Sequence, residues 1–331
     1  MKKKYNKLVE NIISLFTIKG LEYILAFITF PYLVRVLQVE NFGAVVFVQG
    51  IIQYFVLFVD YGFNLLGPKE IAQHDSIKER GKIFASIFCA KLILLLISTI
   101  VFICMLIGAK YINDIDITLY SVIYLMVIGN VIFPIWFFQG IQQMRYITIV
   151  NIIGRFLSVA CIFYFVKIPS DYILAGLFQA IVPLIAGICS WIILWKKYRE
   201  VFILPKFQSV KQVFIDAWEI FTSTIAINLY TASNIVFLGL LTNNTIVGYF
   251  SGAQKIIQNI NQLISPVTQA IYPYVSKIAS NSKNDALKFL RKIVFILGGG
   301  NFIGSVLIFI FAEWIVDVLL GAGYEQSVLL L

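Results

Sequence analysis

Apolar residues run along this chain in long stretches separated by short polar clusters. A bilayer core is crossed by ~20 consecutive apolar residues in a helix. Nine stretches reach that length: 11–37, 42–66, 83–109, 117–138, 147–166, 172–195, 212–241, 245–275 and 293–320. They show no strand-like alternation, and no polar interval between them is large enough for a soluble domain. The pattern predicts an all-α integral membrane protein with about nine complete transmembrane helices. Several runs exceed the required length, which predicts tilt or extension past the lipid. A tenth stretch begins at Gln326 and reaches only Leu331.

The polar clusters alternate in charge. The N-terminus and the connections after every second stretch hold nineteen basic residues, among them Lys2, Lys3, Lys4, Lys69, Lys82, Arg145, Lys196, Lys197, Arg199 and Arg291. The alternate connections hold only Lys110 and Lys167. Short loops rich in Lys and Arg stay on the cytoplasmic side, so the split predicts a multi-pass protein with a cytoplasmic N-terminus. The lysine-rich segment Met1–Lys7 resembles the start of a secretion signal. The run behind it reaches Leu37 and carries Lys19, Glu22 and Arg35, which predicts a retained first span instead.

Composition agrees. Of 331 residues, 60% are hydrophobic and 13% charged, whereas soluble domains carry about 25% charged residues. The net charge of +9 does not predict nucleic-acid binding, because the basic residues are distributed over the connections and form no single patch. The four cysteines, Cys89, Cys104, Cys161 and Cys189, lie inside apolar stretches without CxxC spacing. They read as small buried hydrophobes, with no disulfide or metal site.

A faint internal repeat crosses the chain. Shifted by 205 positions, Gly43 falls on Gly248, Gln49 on Gln254, Ile51-Ile52-Gln53 on Ile256-Ile257-Gln258, and Pro68 on Pro273. Six spans separate the copies, so both run the same way through the membrane. That is one of the known repeat designs of transporters. The repeat predicts a six-helix N-terminal lobe (1–195), a cytoplasmic linker (196–211) and a second lobe (212–331). A complete second copy would run to about position 400. The second lobe is therefore expected to be truncated and the chain a fragment.

Ionisable groups at membrane depth cost ~2.5–3.5 kcal/mol each on insertion scales, so their placement carries functional information. Lys19, Arg35, Lys91, Arg155 and Lys255 lie within spans, as do the acidic Glu22, Asp60, Asp216 and Glu219. Lys255 is about eleven residues from its helix end, too deep for easy snorkelling. Ser251, Gln254, Gln258, Asn261, Gln262 and Ser265 share its helical face. Gln49, Gln53 and Asp60 give the second span a thinner polar face. The two faces predict a water-filled central cavity, against the alternative of interhelical hydrogen bonding. Lys19 and Glu22 have the spacing of an intrahelical pair; Arg35 has the option of snorkelling. Pro31, Pro134, Pro183, Pro266 and Pro273 bend helices, and Gly298-Gly299-Gly300 with Gly304 makes a smooth helix face. Asp114 and Asp116 form a DxD in a short outer connection, where nucleotide sugars are absent. No P-loop, zinc cluster or Rossmann glycine run occurs. The chemistry predicted is transport and not catalysis.

Several stretches resemble a known family. They are Phe30-Pro31-Tyr32-Leu33 with Arg35-Val36-Leu37 and Asn41-Phe42-Gly43, then Asp60-Tyr61-Gly62-Phe63 with the charged segment from Lys69. Pro134-Ile135-Trp136-Phe137-Phe138-Gln139-Gly140 with Met144 is the most specific. Asn228-Leu229-Tyr230, Leu238-Gly239 and Val247-Gly248-Tyr249-Phe250 with Ala253 and Lys255 complete the set. Over essentially its whole length the chain resembles the bacterial polysaccharide repeat-unit (O-antigen and capsule) flippases of the multidrug/oligosaccharidyl-lipid/polysaccharide exporter superfamily. The resemblance implies a MATE-like fold of two pseudo-symmetric six-helix lobes in the bacterial plasma membrane. It implies translocation of undecaprenyl-pyrophosphate-linked oligosaccharides by alternating access, with polysaccharide polymerase machinery as a partner. Under this reading Lys255, Lys19, Arg35, Lys91 and Arg155 attract the pyrophosphate. Gln254, Gln258, Asn261, Asn228, Gln49 and Gln53 meet the sugars. Asp60 and Glu22 are candidates for proton or sodium coupling, and no cofactor is expected. The rival readings are a small-molecule antiporter of the same fold and a membrane glycan polymerase or transferase.

Overall fold

A computed structural model describes residues 2–112, 115–261 and 283–331. The described residues are helical, with no strand among them. In chain order the helices are α1 (Lys2–Asp60), α2 (Phe63–Ala72), α3 (Ile77–Ile112), α4 (Ile117–Ile132), α5 (Ile135–Gly140) and α6 (Met144–Phe165). There follow α7 (Tyr172–Ala180), α8 (Val182–Lys197), α9 (Phe207–Leu241), α10 (244–261), α11 (Lys283–Ile310) and α12 (Ala312–Leu319). Among the described residues, five stretches are long and apolar enough to cross a membrane, or up to seven when two bent pairs are each taken as one span. The chain is an all-α, multi-pass membrane protein. The eighth expected span, 245–275, falls partly outside the described residues.

One of the five stretches is 49 residues long, from Ile24 to Ala72. As one straight helix it would measure ~74 Å, more than twice a ~30 Å hydrocarbon core. It does not run straight. Gln38 has non-helical torsions (φ 61°, ψ 174°), and the chain reverses there. Phe30 and Phe42 would be ~18 Å apart along a continuous helix, yet their ring centroids are 6.1 Å apart. The two arms of α1 therefore form a hairpin, with Gln38 between the first two expected spans.

Other breaks fall where local chemistry forces them. Pro134 lacks the donor needed to continue α4 and restricts the residue before it. Phe133 is accordingly extended, and α5 starts afresh at Ile135. The expected span 42–66 is interrupted at Tyr61 and Gly62, both left-handed (φ 47° and 79°). Phe63 and Leu66 beyond the break are buried in the protein core, so their apolarity serves packing within the fold rather than contact with lipid. The expected span 172–195 is likewise divided, at Ile181.

The first eight helices pack into one bundle, with α4 against α1, α7 and α8, and α6 against α8. A buried aromatic cluster ties its lower part together: Trp136 of α5 contacts Phe84 and Phe137, and Phe84 contacts Trp191. A Cβ on Gly67 would stand 2.7 Å from the Trp136 ring, so α2 and α5 pack at backbone distance.

The second arm of α1 runs antiparallel along α9. Gly50 faces Ile235 and Val236, the Tyr54 hydroxyl lies 2.9 Å from Ser233 Oγ, and Tyr61 stacks on Phe221 with centroids 4.2 Å apart. The same arm crosses α10 at Gly43 and Gly248. The smooth face of α11 at Gly298, Gly299, Gly300 and Gly304 has no described neighbour within 4 Å.

Candidate functional site

Six of the predicted site residues converge on one cavity of about 710 Å³: Gln49, Gln53, Arg155, Gln254, Lys255 and Gln258. Both arms of α1 and α10 line it, and α4, α6, α7, α8 and α9 complete the wall. The polar faces read from the second and eighth spans thus look onto a common space. In α10, Ser251, Gln254, Lys255 and Gln258 follow at offsets of three and four and therefore share a face. The rest of the lining is largely aliphatic, including Leu33, Val46, Ile123 and Ile162. Amide and cationic groups in such surroundings interact more strongly than they would in bulk water.

The repeat is expressed in this geometry. Gln49 and Gln254 are equivalent under the 205-residue shift, as are Gln53 and Gln258, and all four line the cavity. Gly50 and Lys255 are equivalent too. Of the repeat-related positions, only the second copy carries a cation, while the amides recur in both. Arg155 of α6 supplies a second cation to the wall.

The structure also brings in residues absent from the sequence prediction. Gln179 of α7 lines the cavity; its Oε1 accepts from Gln49 Nε2 at 3.4 Å, and its Nε2 donates to the Ala175 carbonyl at 3.0 Å. Ser158 and Thr29 line it as well. A lone glutamine in an otherwise apolar span was the available signal for Gln179.

The remaining predicted residues lie elsewhere. Lys91 is 1% exposed and donates to Asp60 Oδ1 at 3.1 Å, outside the cavity wall. The pyrophosphate candidate and the coupling candidate are thus each other's partner between α1 and α3, with Lys91 buried and Asp60 partly exposed. Arg35 donates through Nη2 to the Val318 carbonyl, where it satisfies the open C-terminal end of α12. Asn228 donates to the Thr224 carbonyl on its own helix at 2.8 Å. Asn261 is exposed at the end of the described part of α10. The side chains of Lys19, Glu22, Gln262 and Ser265 lie outside the described residues. Of the outer DxD, Asp116 is the N-cap of α4, accepting from Leu119 N–H at 3.1 Å and from the Tyr172 hydroxyl at 2.6 Å. Asp114 lies outside the described residues. Among the described residues, no group of three or more His, Cys, Asp or Glu side chains could hold a metal, and the four cysteines are unpaired.

The chain is similar to known proteins over nearly its whole length. It is 33% identical over 324 residues to a protein of Escherichia coli (strain K12) named "Putative O-antigen transporter", an alignment covering 97% of this chain and 77% of that one. It is 30% identical over 336 residues to a protein of the same name from Shigella dysenteriae, covering 97% and 82%. No solved structure matches it significantly. Residues 8–279, which include both arms of the α1 hairpin and all six converging side chains, match the polysaccharide biosynthesis protein family. With its apolar helices enclosing a cationic, amide-lined cavity, the chain belongs to that family.

Proposed function

We propose that this protein is a flippase that carries oligosaccharide repeat units, linked to undecaprenyl pyrophosphate, across the bacterial plasma membrane by alternating access. The carrying observation is the cavity lined by repeat-related Gln49, Gln254, Gln53 and Gln258 together with Lys255 and Arg155. A pyrophosphate entering a largely apolar space needs charge-assisted donors, and an ammonium and a guanidinium provide them. Sugar hydroxyls both donate and accept, as carboxamides do, so paired glutamines can follow a glycan without a fixed register. The prenyl chain needs no protein pocket and stays in lipid. The relatives named for O-antigen transport support this substrate class.

Alternating access is supported by the contacts of the second arm of α1. It touches α10 near Gly43 and α9 along its length, so rocking of these elements would open and close the cavity between them. In this reading residues 1–195 and 212–331 are two pseudo-symmetric lobes, joined by the linker 196–211, within a nine-span arrangement. The nineteen-to-two charge split supports a cytoplasmic N-terminus in this reading. A proton or sodium gradient drives the cycle, and polysaccharide polymerase machinery takes the product.

The test is surface polysaccharide in cells whose own flippase is deleted and which carry this gene, with its natural continuation if any. Lys255→Ala should remove surface polysaccharide while membrane levels of the protein hold, and lipid-linked units should accumulate on the inner leaflet. Unchanged polysaccharide in Lys255→Ala would remove this lysine from the substrate site.

A further inference from the structure

We propose that the basic end of α8 carries a binding site for one anionic diacyl phospholipid, separate from the central cavity. Two apolar grooves flank Trp191. One, of about 540 Å³, is lined by Ile132, Ile188, Trp191, Ile192, Trp195 and Lys196. The other, of about 360 Å³, lies between α3 and the segment after α8, with Phe88, Leu92, Trp191 and Phe202 in its wall. Trp191 is the ridge between them. Its Nε1 donates to the Ile132 carbonyl at 2.8 Å and its ring stacks on Phe202 at 5.5 Å, so the ridge is held in place from both sides.

The grooves adjoin next to the basic residues that end α8. Trp195 lines the first and Phe202 the second, and their ring centroids are 5.9 Å apart. The Arg199 guanidinium lies 5.1 Å over the Trp195 ring, and Lys196 is part of the groove wall itself. Lys197 is anchored beside them by a 2.7 Å hydrogen bond to the Tyr146 hydroxyl. Glu200 is the acidic neighbour in sequence, and none of Lys196, Lys197 and Arg199 forms an ion pair among the described residues.

An ordinary lipid-facing helix surface is apolar but offers no paired channels and no convergent cations. Here two shallow apolar grooves share the Trp191 ridge, with Lys196 in the wall of the first and Arg199 over Trp195. Two acyl chains on one phosphate match that arrangement, and basic pockets at the ends of spans attract anionic head groups. A polyprenyl carrier has a single chain, which would leave the second groove unfilled. The site therefore selects a membrane phospholipid over the cargo, and it depends on the membrane reading rather than on the transport reading.

The experiment uses the whole chain with Trp218→Phe and Trp314→Phe, in nanodiscs of phosphatidylcholine mixed with phosphatidylglycerol, either lipid brominated in turn. Tryptophan quenching should show brominated phosphatidylglycerol preferred. The preference should fall about fivefold for each cation removed in Lys196→Gln and Arg199→Gln, and vanish in the double variant. Wild-type quenching without preference, or a preference that survives the double substitution in a monodisperse protein, overturns the site. Displacement of the quenching lipid by an equal mole fraction of undecaprenyl phosphate overturns the choice of occupant. Should the double variant aggregate, the two single variants carry the same comparison.

Discussion

Gly43 and Gly248 meet face to face where α1 crosses α10, and they are equivalent under the internal repeat. A Cβ on Gly43 would overlap the Asn244 carbonyl oxygen, and one on Gly248 would overlap the carbonyl oxygen of Val39. Val39 and Asn244 are themselves equivalent under the same shift. The contact is therefore reciprocal between positions 205 residues apart. Absent side chains let the two backbones approach to this distance. From this crossing the two helices continue into the cavity, where the related glutamines line the space between them.

Gly43→Ala and Gly248→Ala should each strain this crossing. Overpacking of this kind costs about 1–3 kcal/mol, and backbone carbonyls cannot rotate away as side chains can. Both variants should melt earlier than wild type in detergent, measured by size-exclusion after heating. Gly20→Ala, with no described neighbour within 4 Å of the added carbon, should not. An unshifted midpoint for Gly43→Ala would contradict the close approach.

In the Lys91–Asp60 pair the lysine is the buried partner. Removing one partner strands the other charge, at a cost of about 3–5 kcal/mol. Asp60→Asn and Lys91→Met should each lower the yield of folded protein, and the double variant should recover much of it. Transport by the recovered double variant would show the pair to be structural. A folded double variant without transport would tie Asp60 to coupling.

Movement of α1 against α9 can be tested by tethering. A Cβ on Gly50 would lie 3.8 Å from the Ile235 Cβ, at the mean separation for a disulfide. Gly50→Cys with Ile235→Cys, in a chain whose native cysteines are replaced, should cross-link on oxidation. Oxidation should then halt polysaccharide export and reduction should restore it. Full export with the cross-link formed would exclude separation of these helices as a step of the cycle.

The glutamine pairs should contribute unequally from the cation. Gln53→Leu with Gln258→Leu should weaken transport of the native glycan and alter preference among glycans, while Lys255→Ala should affect all of them alike, since the pyrophosphate is common. Export of several repeat-unit structures in matched strains makes the comparison.

Arg35→Ala should act on stability rather than on the cavity. Its guanidinium serves the end of α12, and loss of such a contact to helix-terminal carbonyls costs about 0.3–1 kcal/mol. A small drop in melting midpoint with transport retained is expected; abolished transport at normal stability would return Arg35 to the substrate path.

Much of the site was legible because the energetics that place it are local. A glutamine in lipid is costly, so Gln49, Gln53, Gln254 and Gln258 at helical spacing had to share a protected face, and Lys255 among them gave that face its charge. Gln179 was missed because a single amide has no periodicity. The partnership of Lys91 with Asp60 was missed because their separation of 31 positions obeys no helical spacing rule. The break at Gly62 was missed because Phe63 and Leu66 are apolar for the sake of the protein core, and hydropathy does not separate core from lipid.

The sequence by itself determined the solvent of this protein and its helical class. Each follows from composition and spacing along one strand of chain, summed over ~20 residues at a time. Only the tertiary structure decided which polar groups share a cavity and which neutralise each other. That choice turns on segments tens to hundreds of residues apart approaching within about 3 Å, the range over which a hydrogen bond or ion pair forms. Hydropathy sums over a span carry no information at that range. The same lysine-in-a-helix pattern therefore yields a cavity cation at Lys255 and an ion pair at the buried Lys91.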